Sequence, residues 1–380
     1  MAKSPQPTPI HDFHVSQGAQ LVDYAGWSLP MKYEGVTAEH HQVRRSAGMF
    51  DVSHMGRLQI KGLHARRLLE RVCTRRIGTM EQGQCRYTLI CNETGGVRDD
   101  VIVYRMDDDE FMVVVNAANR SKIVEHMGSV VANLGLKVSV EDRTEKTAMV
   151  AAQGPRVMEL ISKVSSEIPT LKRYRFTVKN FLVMKLIVSR TGYTGEDGLE
   201  VILPANMVSM AMKLLMKDID PKDPNAIMKP AGLGARDTLR IEAGMPLYGH
   251  ELGEDINALA CGVDFAISLD KNVDEDGVTF IGQEALIETR ESGGPPRVLA
   301  GLKIDGRRTA RQGMPVVDAT GATVGVVTSG CVSPTLDASI AMAFLDRGVS
   351  EGGGALEVDT GRAKLAASLT PLPFYKAPKK

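Results

Sequence analysis

Apolar residues recur at helical spacing in several segments, and this spacing predicts amphipathic helices because positions three and four apart share one helix face. The clearest stripe lies in residues 63–73 and consists of Ala65, Leu68, Leu69 and Val72. A second stripe, in residues 118–134, consists of Ile123, Met127, Val130, Val131 and Leu134. The same pattern predicts further helices over residues 38–48, 155–164, 205–218 and 230–243.

Other segments alternate apolar and polar residues with a period of two, which predicts strands. The predicted strands, beginning with an antiparallel meander, cover residues 87–91, 100–104, 110–115, 137–141, 147–152 and 181–190. From about residue 296 only short strands and turns are predicted, so we expect a separate all-β domain after the linker ESGGPP. Strands and helices do not alternate regularly before it, which predicts an α+β region rather than a doubly wound parallel sheet.

Composition narrows the possible classes of protein. The chain has 380 residues, which favours two or three domains, and its 46 Lys and Arg residues balance 46 Asp and Glu residues. A neutral chain has no long-range basic field for nucleic acid, and no apolar run is long enough for a membrane span. The five cysteines form no C-x-x-C pair and the histidines lack metal-ligand spacing, so we expect buried thiols and no metal site. The polar, Pro-rich residues 1–10 predict a surface tail without the features of a signal peptide.

The loop GYTGEDGLE at residues 192–200 is the first candidate for chemistry. Its three glycines allow positive φ and a close approach of the backbone, Tyr193 offers a ring, and three acids ending with Glu200 offer carboxylates. These acids would repel phosphate, which disfavours a nucleotide cradle. A carboxylate instead pairs with a ring N–H beside an exocyclic amine, an edge that pterins and guanines present. An ordinary β-turn explains the same glycines, so the loop by itself leaves both interpretations open.

Two further motifs place charged residues at the ends of predicted elements. In GGVRDDVIVY, Asp99 and Asp100 begin a strand and therefore point to opposite faces. Either both serve the turn, or one faces a cleft as a proton acceptor or cation stabiliser. In AGLGARDTLRIEAG, Arg236 and Arg240 lie four residues apart, which fits either a solvated, salt-bridged helix face or a bidentate grip on a ligand carboxylate.

Taken in order, several motifs of the chain resemble those of one family. They are AGWSLPMKYEGV at 25–36, FDVSHMG at 50–56, NETGGVRDDVIVY at 92–104, VVNAAN at 114–119, AAQGP at 151–155, RTGYTGEDGLE at 190–200, AGLGARDTLRIEAGMPLYGHEL at 231–252 and VTSGCVSPTL at 327–336. Together they cover the chain from about residue 8 to 376, and they resemble the T-protein, the aminomethyltransferase of the glycine cleavage system.

The resemblance implies an enzyme that transfers an aminomethyl group from the lipoyl arm of H-protein to its co-substrate tetrahydrofolate, releasing ammonia and forming 5,10-methylenetetrahydrofolate. It also implies two interleaved α+β domains with antiparallel sheets and a C-terminal β-barrel-like domain, arranged as a cloverleaf around a central folate channel. The first domain is expected over residues 1–54 with about 119–140 and 230–290. The second is expected over 55–118 with about 141–229, and the third over 296–380.

The resemblance also assigns residues to the site. Asp100, the second acid of the R-D-D run, matches the family's catalytic Asp. The residues that match folate-binding positions are Met55, Tyr87, Asn116, Tyr193, Glu200, Arg236 and Tyr375. At the last of these positions the run PFYK fits either Tyr375 or Lys376, and we assign Tyr375. From the family's chemistry we expect Asp100 to stabilise the cation that develops as the carrier's carbon–sulfur bond breaks, and to accept a proton from N10 of folate.

Three features depart from the family pattern. Arg98 stands where an apolar residue is usual, and Phe265 stands where many relatives carry Trp. The run NALACGV at 257–263 replaces the more common T-P-x-E-A-G-L. These departures concern the shape of the channel rather than the chemistry at Asp100.

Other functions of related folate binders are weighed against this one. A tetrahydrofolate-dependent demethylase would use the same channel for a sulfonium or methylamine donor. A non-catalytic folate-binding protein of iron–sulfur assembly would carry K-G-C-Y-x-G-Q-E, but TFIGQEAL at 279–286 lacks the Cys. A flavin-linked amine dehydrogenase is disfavoured because no G-x-G-x-x-G domain precedes the folate module. We expect lipoylated H-protein and tetrahydrofolate as partners, neither nucleic acid nor membrane, and a location in the bacterial cytoplasm or the mitochondrial matrix.

Overall fold

The computed structural model describes residues 4–181, 184–215, 219–271 and 277–378 of the chain. The chain separates into two compact units, each built from segments that are distant in the sequence. Unit 1 comprises Met1–Arg66, Met80–Arg86 and Ile102–Asp237, and unit 2 comprises Arg67–Thr79, Tyr87–Val101 and Thr238–Lys380. The division into three domains stays a prediction, whereas the α+β class with antiparallel sheets and a C-terminal barrel is confirmed.

The predicted helices form close to their apolar stripes, with ends displaced by a few residues. The helices are α1 (His11–Ser16), α2 (Val36–Arg45), α3 (Ala65–Val72), α4 (Arg120–Leu134), α5 (Val157–Ile161), α6 (Val208–Leu215), α7 (Leu233–Glu242), α8 (Gln283–Glu291) and α9 (Arg347–Gly352). The stripe of α3 is fully buried, as predicted. The predicted core position of Leu134 is wrong, since this side chain is 46% exposed. It is the last residue of α4, which a left-handed Gly135 terminates.

Three short helices escape prediction from the sequence. They are α1, α8 and α9, and their sequences HDFHVS, QEALIETRE and RGVSEG hold too few apolar residues to form a stripe. The presence of α9 corrects the prediction that only strands and turns follow residue 296. Residues 216–218 of the helix predicted over 205–218 lie outside the described residues. In the part of the chain that the structure describes, no helix is long and apolar enough to cross a membrane.

Two sheets position three candidate site residues of unit 1, since Glu200 lies on a strand and Met55 and Asn116 lie at strand ends. The strands that precede the barrel are β1 (Gln6–Pro7), β2 (Gln20–Tyr24), β3 (Trp27–Lys32), β4 (Ala47–Asp51), β5 (Gly56–Lys61), β6 (Cys85–Cys91), β7 (Val97–Asp107), β8 (Glu110–Val115), β9 (Ser139–Asp142), β10 (Thr147–Gln153), β11 (Phe176–Phe181), β12 (Met184–Ser189), β13 (Gly198–Pro204) and β14 (Met228–Pro230). Six of them form a sheet in the order β11-β12-β13-β10-β4-β14, which is antiparallel except where β14 runs beside β4. Strand β10 lies between two neighbours and is buried beyond Thr147, which explains its unbroken apolar run.

The second of these sheets joins β8 to β5 on one side and to Ile102–Asp107 of β7 on the other, while β9 pairs with the far edge of β5. Its pairings are antiparallel, and Val113 of β8 lies opposite both Leu58 and Val103. All three side chains are fully buried, so cross-strand apolar contacts stabilise the register. The strand predicted at residues 110–115 is confirmed at both ends.

Two predictions for unit 1 are wrong in extent. In the single strand predicted over 181–190, Phe181 ends β11, residues 182–183 lie outside the described residues, and β12 pairs with β11 in antiparallel orientation. Residues 4–10 of the predicted surface tail are ordered, since β1 pairs with β3 and Ile10 is 3% exposed in the apolar core, while residues 1–3 lie outside the described residues. A short polar segment gives no periodic signal for either feature.

Unit 2 contains the barrel and a hairpin. The barrel strands are β15 (Arg297–Ile304), β16 (Pro315–Asp318), β17 (Thr323–Ser333), β18 (Ala338–Asp346), β19 (Leu356–Asp359) and β20 (Lys364–Thr370). They close in the order β15-β18-β17-β16-β19-β20, so the barrel has no free edge. The hairpin is formed by the unit 2 parts of β6 and β7, and the Asn92 side chain accepts hydrogen bonds from the N–H groups of Thr94 and Gly96 in its turn. The predicted burial of all five cysteines is confirmed.

Candidate active site

The residues predicted for the site are divided between the two units. Those in unit 1 are Met55, Asn116, Tyr193, Glu200 and Arg236, and those in unit 2 are Tyr87, Asp100 and Tyr375. The two groups of residues are described separately below, unit 1 first.

Glu200 is the most deeply buried of the predicted residues in unit 1. It lies on β13, between Ala151 of β10 and Ser189 of β12, and is 6% exposed. The sequence prediction of a loop ending at this residue is therefore wrong by three residues, because the strand begins at Gly198. Burial raises the pKa of Glu200 above its ordinary value, while a hydrogen bond from the Thr191 hydroxyl and the charge of Arg236 act in the opposite direction.

The other acids of this loop serve its structure. Glu196 forms a buried ion pair with Arg44, with 3.0 Å between Oε1 and Nη1, and Asp197 pairs with Arg190. Gly192 is required for packing, since a Cβ at this position would lie 1.9 Å from the Gln153 amide oxygen. The loop is thus a compact turn held by ion pairs. Of its three acids, Glu200 is the one that interacts with Arg236.

Arg236 and Tyr193 form a cation–π pair. The guanidinium carbon lies 4.7 Å from the centroid of the Tyr193 ring, within the range of this interaction. Arg236 occupies the first turn of α7, and its buried Nη1 atom has no hydrogen-bond partner among the described residues. Buried donors are normally paired, so this nitrogen is positioned to receive an acceptor from a ligand.

Met55 and Asn116 are brought together by the register of β5 and β8. Gly56 pairs with Val115, so Met55, just before β5, lies opposite Asn116, just after β8. Both side chains are half-buried at this end of the strand pair. The register explains how residues 61 positions apart in the sequence meet.

His54 is a candidate that the sequence analysis did not select. Its side chain is 3% exposed, its ring meets the edge of Tyr24 at 5.4 Å between centroids, and its Nδ1 atom lacks a partner among the described residues. Burial, followed by the positive charge of Arg236, lowers the pKa of His54 to about 3, so the imidazole is neutral near pH 7. Only the fold reveals these surroundings, since the FDVSHMG run has no metal or triad spacing.

In unit 2, Asp100 and Tyr87 meet across the hairpin. The Tyr87 hydroxyl donates a hydrogen bond of 3.2 Å to Oδ2 of Asp100. Asp99 is fully buried and Asp100 is half-buried, which confirms that the paired acids point to opposite faces of the strand. The Tyr87 ring also packs on Phe265, with 5.9 Å between centroids and 30° between planes. Asp100 is therefore the more accessible acid of the pair, and its role as a proton acceptor or cation stabiliser stays a prediction.

The remaining predicted residue, Tyr375, lies near the end of the chain and is half-buried. Its backbone N–H donates a 2.8 Å hydrogen bond to the carbonyl of Glu242, the last residue of α7. Arg240, on the same helix, is 1% exposed and bonds Glu251 at 2.9 Å and Ser329 at 2.7 Å. A solvated helix face is therefore the wrong interpretation for Arg240.

The buried polar side chains of unit 1 combine hydrogen-bond donors and acceptors. No group of three or more His, Cys, Asp or Glu in the described ranges could hold a metal. The unit instead offers a buried carboxylate at Glu200, an unpartnered donor at Arg236 and a neutral imidazole at His54. This set fits a flat heterocycle with mixed donors and acceptors, as a pterin is.

Comparison with family models gives two matches along the chain. Residues 10–271 match the model described as "GCVT N-terminal domain". Residues 297–376 match the "Glycine cleavage T-protein C-terminal barrel domain", which coincides with the closed barrel.

Individual relatives agree with these models. A protein of Rubrobacter xylanophilus named aminomethyltransferase is 44% identical over 371 residues, covering 97% of this chain and 94% of its own length. One of the same name from Saccharopolyspora erythraea is 39% identical, covering 98% and 99%. Among solved structures, the glycine cleavage system aminomethyltransferase T from Bartonella henselae superposes with a TM-score of 0.88 at 28% identity, covering 98% of this chain and 99% of that one.

Proposed function

Because the chain belongs to the glycine cleavage T-protein family, we propose that Asp100 carries its chemistry and that the residues around Glu200 bind tetrahydrofolate. The chain is an aminomethyltransferase of the glycine cleavage system. The family works with H-protein and folate, and we propose that lipoylated H-protein delivers the aminomethyl group here. The demethylase and iron–sulfur alternatives are not favoured, since the full-length relatives are named aminomethyltransferases.

The observation that carries the folate proposal is the buried carboxylate of Glu200 near the unpartnered Nη1 of Arg236. A pterin presents a ring N–H beside an exocyclic amine, and a carboxylate can accept from both. Arg236 can donate to an oxygen of the same ligand, while Tyr193 keeps its guanidinium in place by stacking. Met55 and Asn116 supply an apolar and a polar contact at the neighbouring end of β5 and β8. Tyr375 is proposed to contact the tail of folate.

Asp100 is proposed to act on charge and protons rather than by covalent attack. Tetrahydrofolate supplies the two nitrogens between which the transferred carbon is bound. The Asp100 carboxylate favours the positive charge that develops when the carbon leaves sulfur, and it can accept the proton that N10 loses. Partial burial strengthens both effects, since a charge interaction is weakened less there than in water.

Replacing Asp100 by Asn tests this role, because Asn keeps the size of the side chain and removes its charge. With aminomethyl-loaded H-protein and tetrahydrofolate, we expect kcat for ammonia and methylene-folate formation to fall about 10²-fold or more. The dissociation constant of tetrahydrofolate, measured by calorimetry, should change by less than about threefold, since the group around Glu200 is intact. Asp305→Asn, at an exposed position in the barrel unit, is the matched control. Wild-type turnover in Asp100→Asn would remove Asp100 from the mechanism.

The cellular location is also a proposal. The relatives named above come from bacteria, and no described helix could cross a membrane. We propose that the chain works in the cytoplasm. Fractionation of the source cells, with detection by an antibody against the chain, tests this.

A further inference from the structure

In unit 2 one aromatic side chain contacts the proposed catalytic carboxylate, and a second aromatic side chain packs on the first. The Tyr87 hydroxyl donates a hydrogen bond to Oδ2 of Asp100. The ring of the same tyrosine packs on Phe265. Phe265 is 64% exposed, which is unusual for so large an apolar side chain. A centroid distance of 5.9 Å lies within the range of favourable ring pairs.

The backbone segments that carry these two rings share one anchor. The Thr74 hydroxyl bonds the carbonyl of Ala266, next to Phe265, at 2.6 Å. The same hydroxyl lies 3.1 Å from that of Thr88, next to Tyr87. Thr74 and Thr88 are fully buried, so the turn that carries Phe265 and the strand that carries Tyr87 are held in fixed relation.

We propose that Tyr87 and Phe265 are positioning residues that act through Asp100: Phe265 fixes the Tyr87 ring, and the Tyr87 hydroxyl fixes the orientation of the carboxylate. This inference rests on the proposed catalytic role of Asp100. It goes beyond the expectation that Tyr87 only lines a folate channel, because it assigns the hydroxyl to the enzyme's own acid.

A carboxylate needs support of this kind because its terminal torsion is soft. The terminal torsion of Asp has broad minima, so a carboxylate turns easily unless a donor holds one oxygen. Catalytic groups lose rate when they are misplaced by about 1 Å, and aromatic stacking supplies a rigid support at low entropic cost. Because Phe265 is exposed, it contributes little to the core, and its packing on Tyr87 fits a role in orientation.

Removing only the hydroxyl gives the first test. In Tyr87→Phe the ring and its contact with Phe265 remain, and we expect kcat to fall about tenfold or more. Both KM and the calorimetric dissociation constant for tetrahydrofolate should stay within about twofold, since the ring still lines its surroundings. Tyr174→Phe is the matched control, because Tyr174 is 48% exposed. A rise in the dissociation constant at unchanged kcat would overturn the proposal and assign the hydroxyl to folate.

Removing the support gives the second test. Phe265→Ala should lower kcat about threefold to tenfold at an unchanged tetrahydrofolate dissociation constant, and Phe265→Trp should restore it by supplying a ring. The double variant Tyr87→Phe/Phe265→Ala should match Tyr87→Phe alone, because no hydroxyl is left to position. Effects that multiply in the double variant would show that Phe265 acts independently of Tyr87.

Failure of this positioning proposal can be distinguished from failure of the proposed role of Asp100. If Asp100→Asn is inactive while Tyr87→Phe has wild-type kcat, the positioning pair is refuted and the role of Asp100 stands. If Asp100→Asn keeps its turnover, the role of Asp100 and the inference built on it both fall.

Discussion

At the scale of single residues, Glu200 combines a cost in stability with a proposed role in binding. Its pKa lies above the ordinary value of 4.5, chiefly because the side chain is buried. The folded chain therefore holds this proton more tightly than the unfolded chain. This contribution to the free energy of unfolding is fully present below about pH 4.5 and is lost as pH rises through the folded-state pKa.

We therefore expect Glu200→Gln to separate stability from binding. The amide keeps an acceptor for Thr191 and cannot ionise, so the free energy of unfolding at pH 7.5 should be equal to or above that of the wild type. The dissociation constant for tetrahydrofolate should rise about 10- to 100-fold, the range expected for loss of a charged hydrogen bond. Urea unfolding and calorimetry measure the two quantities.

A matched control for this variant is Glu291→Gln, at an exposed position in the last turn of α8. It should change neither quantity. Unchanged affinity in Glu200→Gln would remove Glu200 from the proposed folate contacts.

At the scale of elements, helix α7 joins a candidate ligand residue to a buried polar network. Arg236 lies in its first turn, and Arg240, one turn later, pairs with Glu251 at 2.9 Å, with both side chains buried. Ser329 of β17 bonds both partners, and Glu242 at the helix end accepts from Ser333. The C-terminal half of α7 is thus fixed to the barrel by satisfied buried groups within unit 2.

Breaking this network should be costly for the fold. We expect Glu251→Ala to lower the free energy of unfolding by about 3–5 kcal/mol, because it leaves the Arg240 charge buried without its partner. The exposed pair of Arg297 and Asp346 provides the comparison, and Asp346→Ala should cost less than about 1 kcal/mol. Urea denaturation of both variants measures the difference. Equal losses would show that the buried pair carries no special stability.

The sequence predicts elements well where one face is buried and poorly elsewhere. The strand β7, which carries Asp100, alternates between buried and partly exposed positions at its start because one face packs inward, and its paired acids show which side is accessible. The start of strand β13, which carries Glu200, gives no strand signal because glycines and acids precede its apolar part. The unpartnered Nδ1 of His54 has no local signature at all, since burial and the charge of Arg236 create its environment.

At the scale of the whole molecule, the path of the chain ties the two units together covalently. Of five crossings from one unit to the other, four fall inside the regular elements α3, β6, β7 and α7, and one falls in the loop after Thr79. To unfold one unit alone, the chain would have to break backbone hydrogen bonds in the middle of these elements.

We therefore expect the described chain to unfold in one cooperative step. Differential scanning calorimetry should show a single peak, and limited proteolysis of the native protein should not release a stable fragment cut at Arg66, Arg86, Val101 or Asp237. Two resolved peaks that correspond to the two units would contradict this expectation. Cleavage in the linker before the barrel is the control for protease activity.

The burial of the cysteines matters for the chemistry of the proposed lipoyl carrier. All five thiols are buried, and burial raises the pKa of Cys73 and of Cys91 to about 12. A lipoyl arm ends in sulfur and passes between dithiol and disulfide, so an accessible thiolate on the enzyme could exchange with it and trap a mixed disulfide. Because its thiols are buried, the protein avoids this exchange with the lipoyl arm that the proposed reaction brings to it.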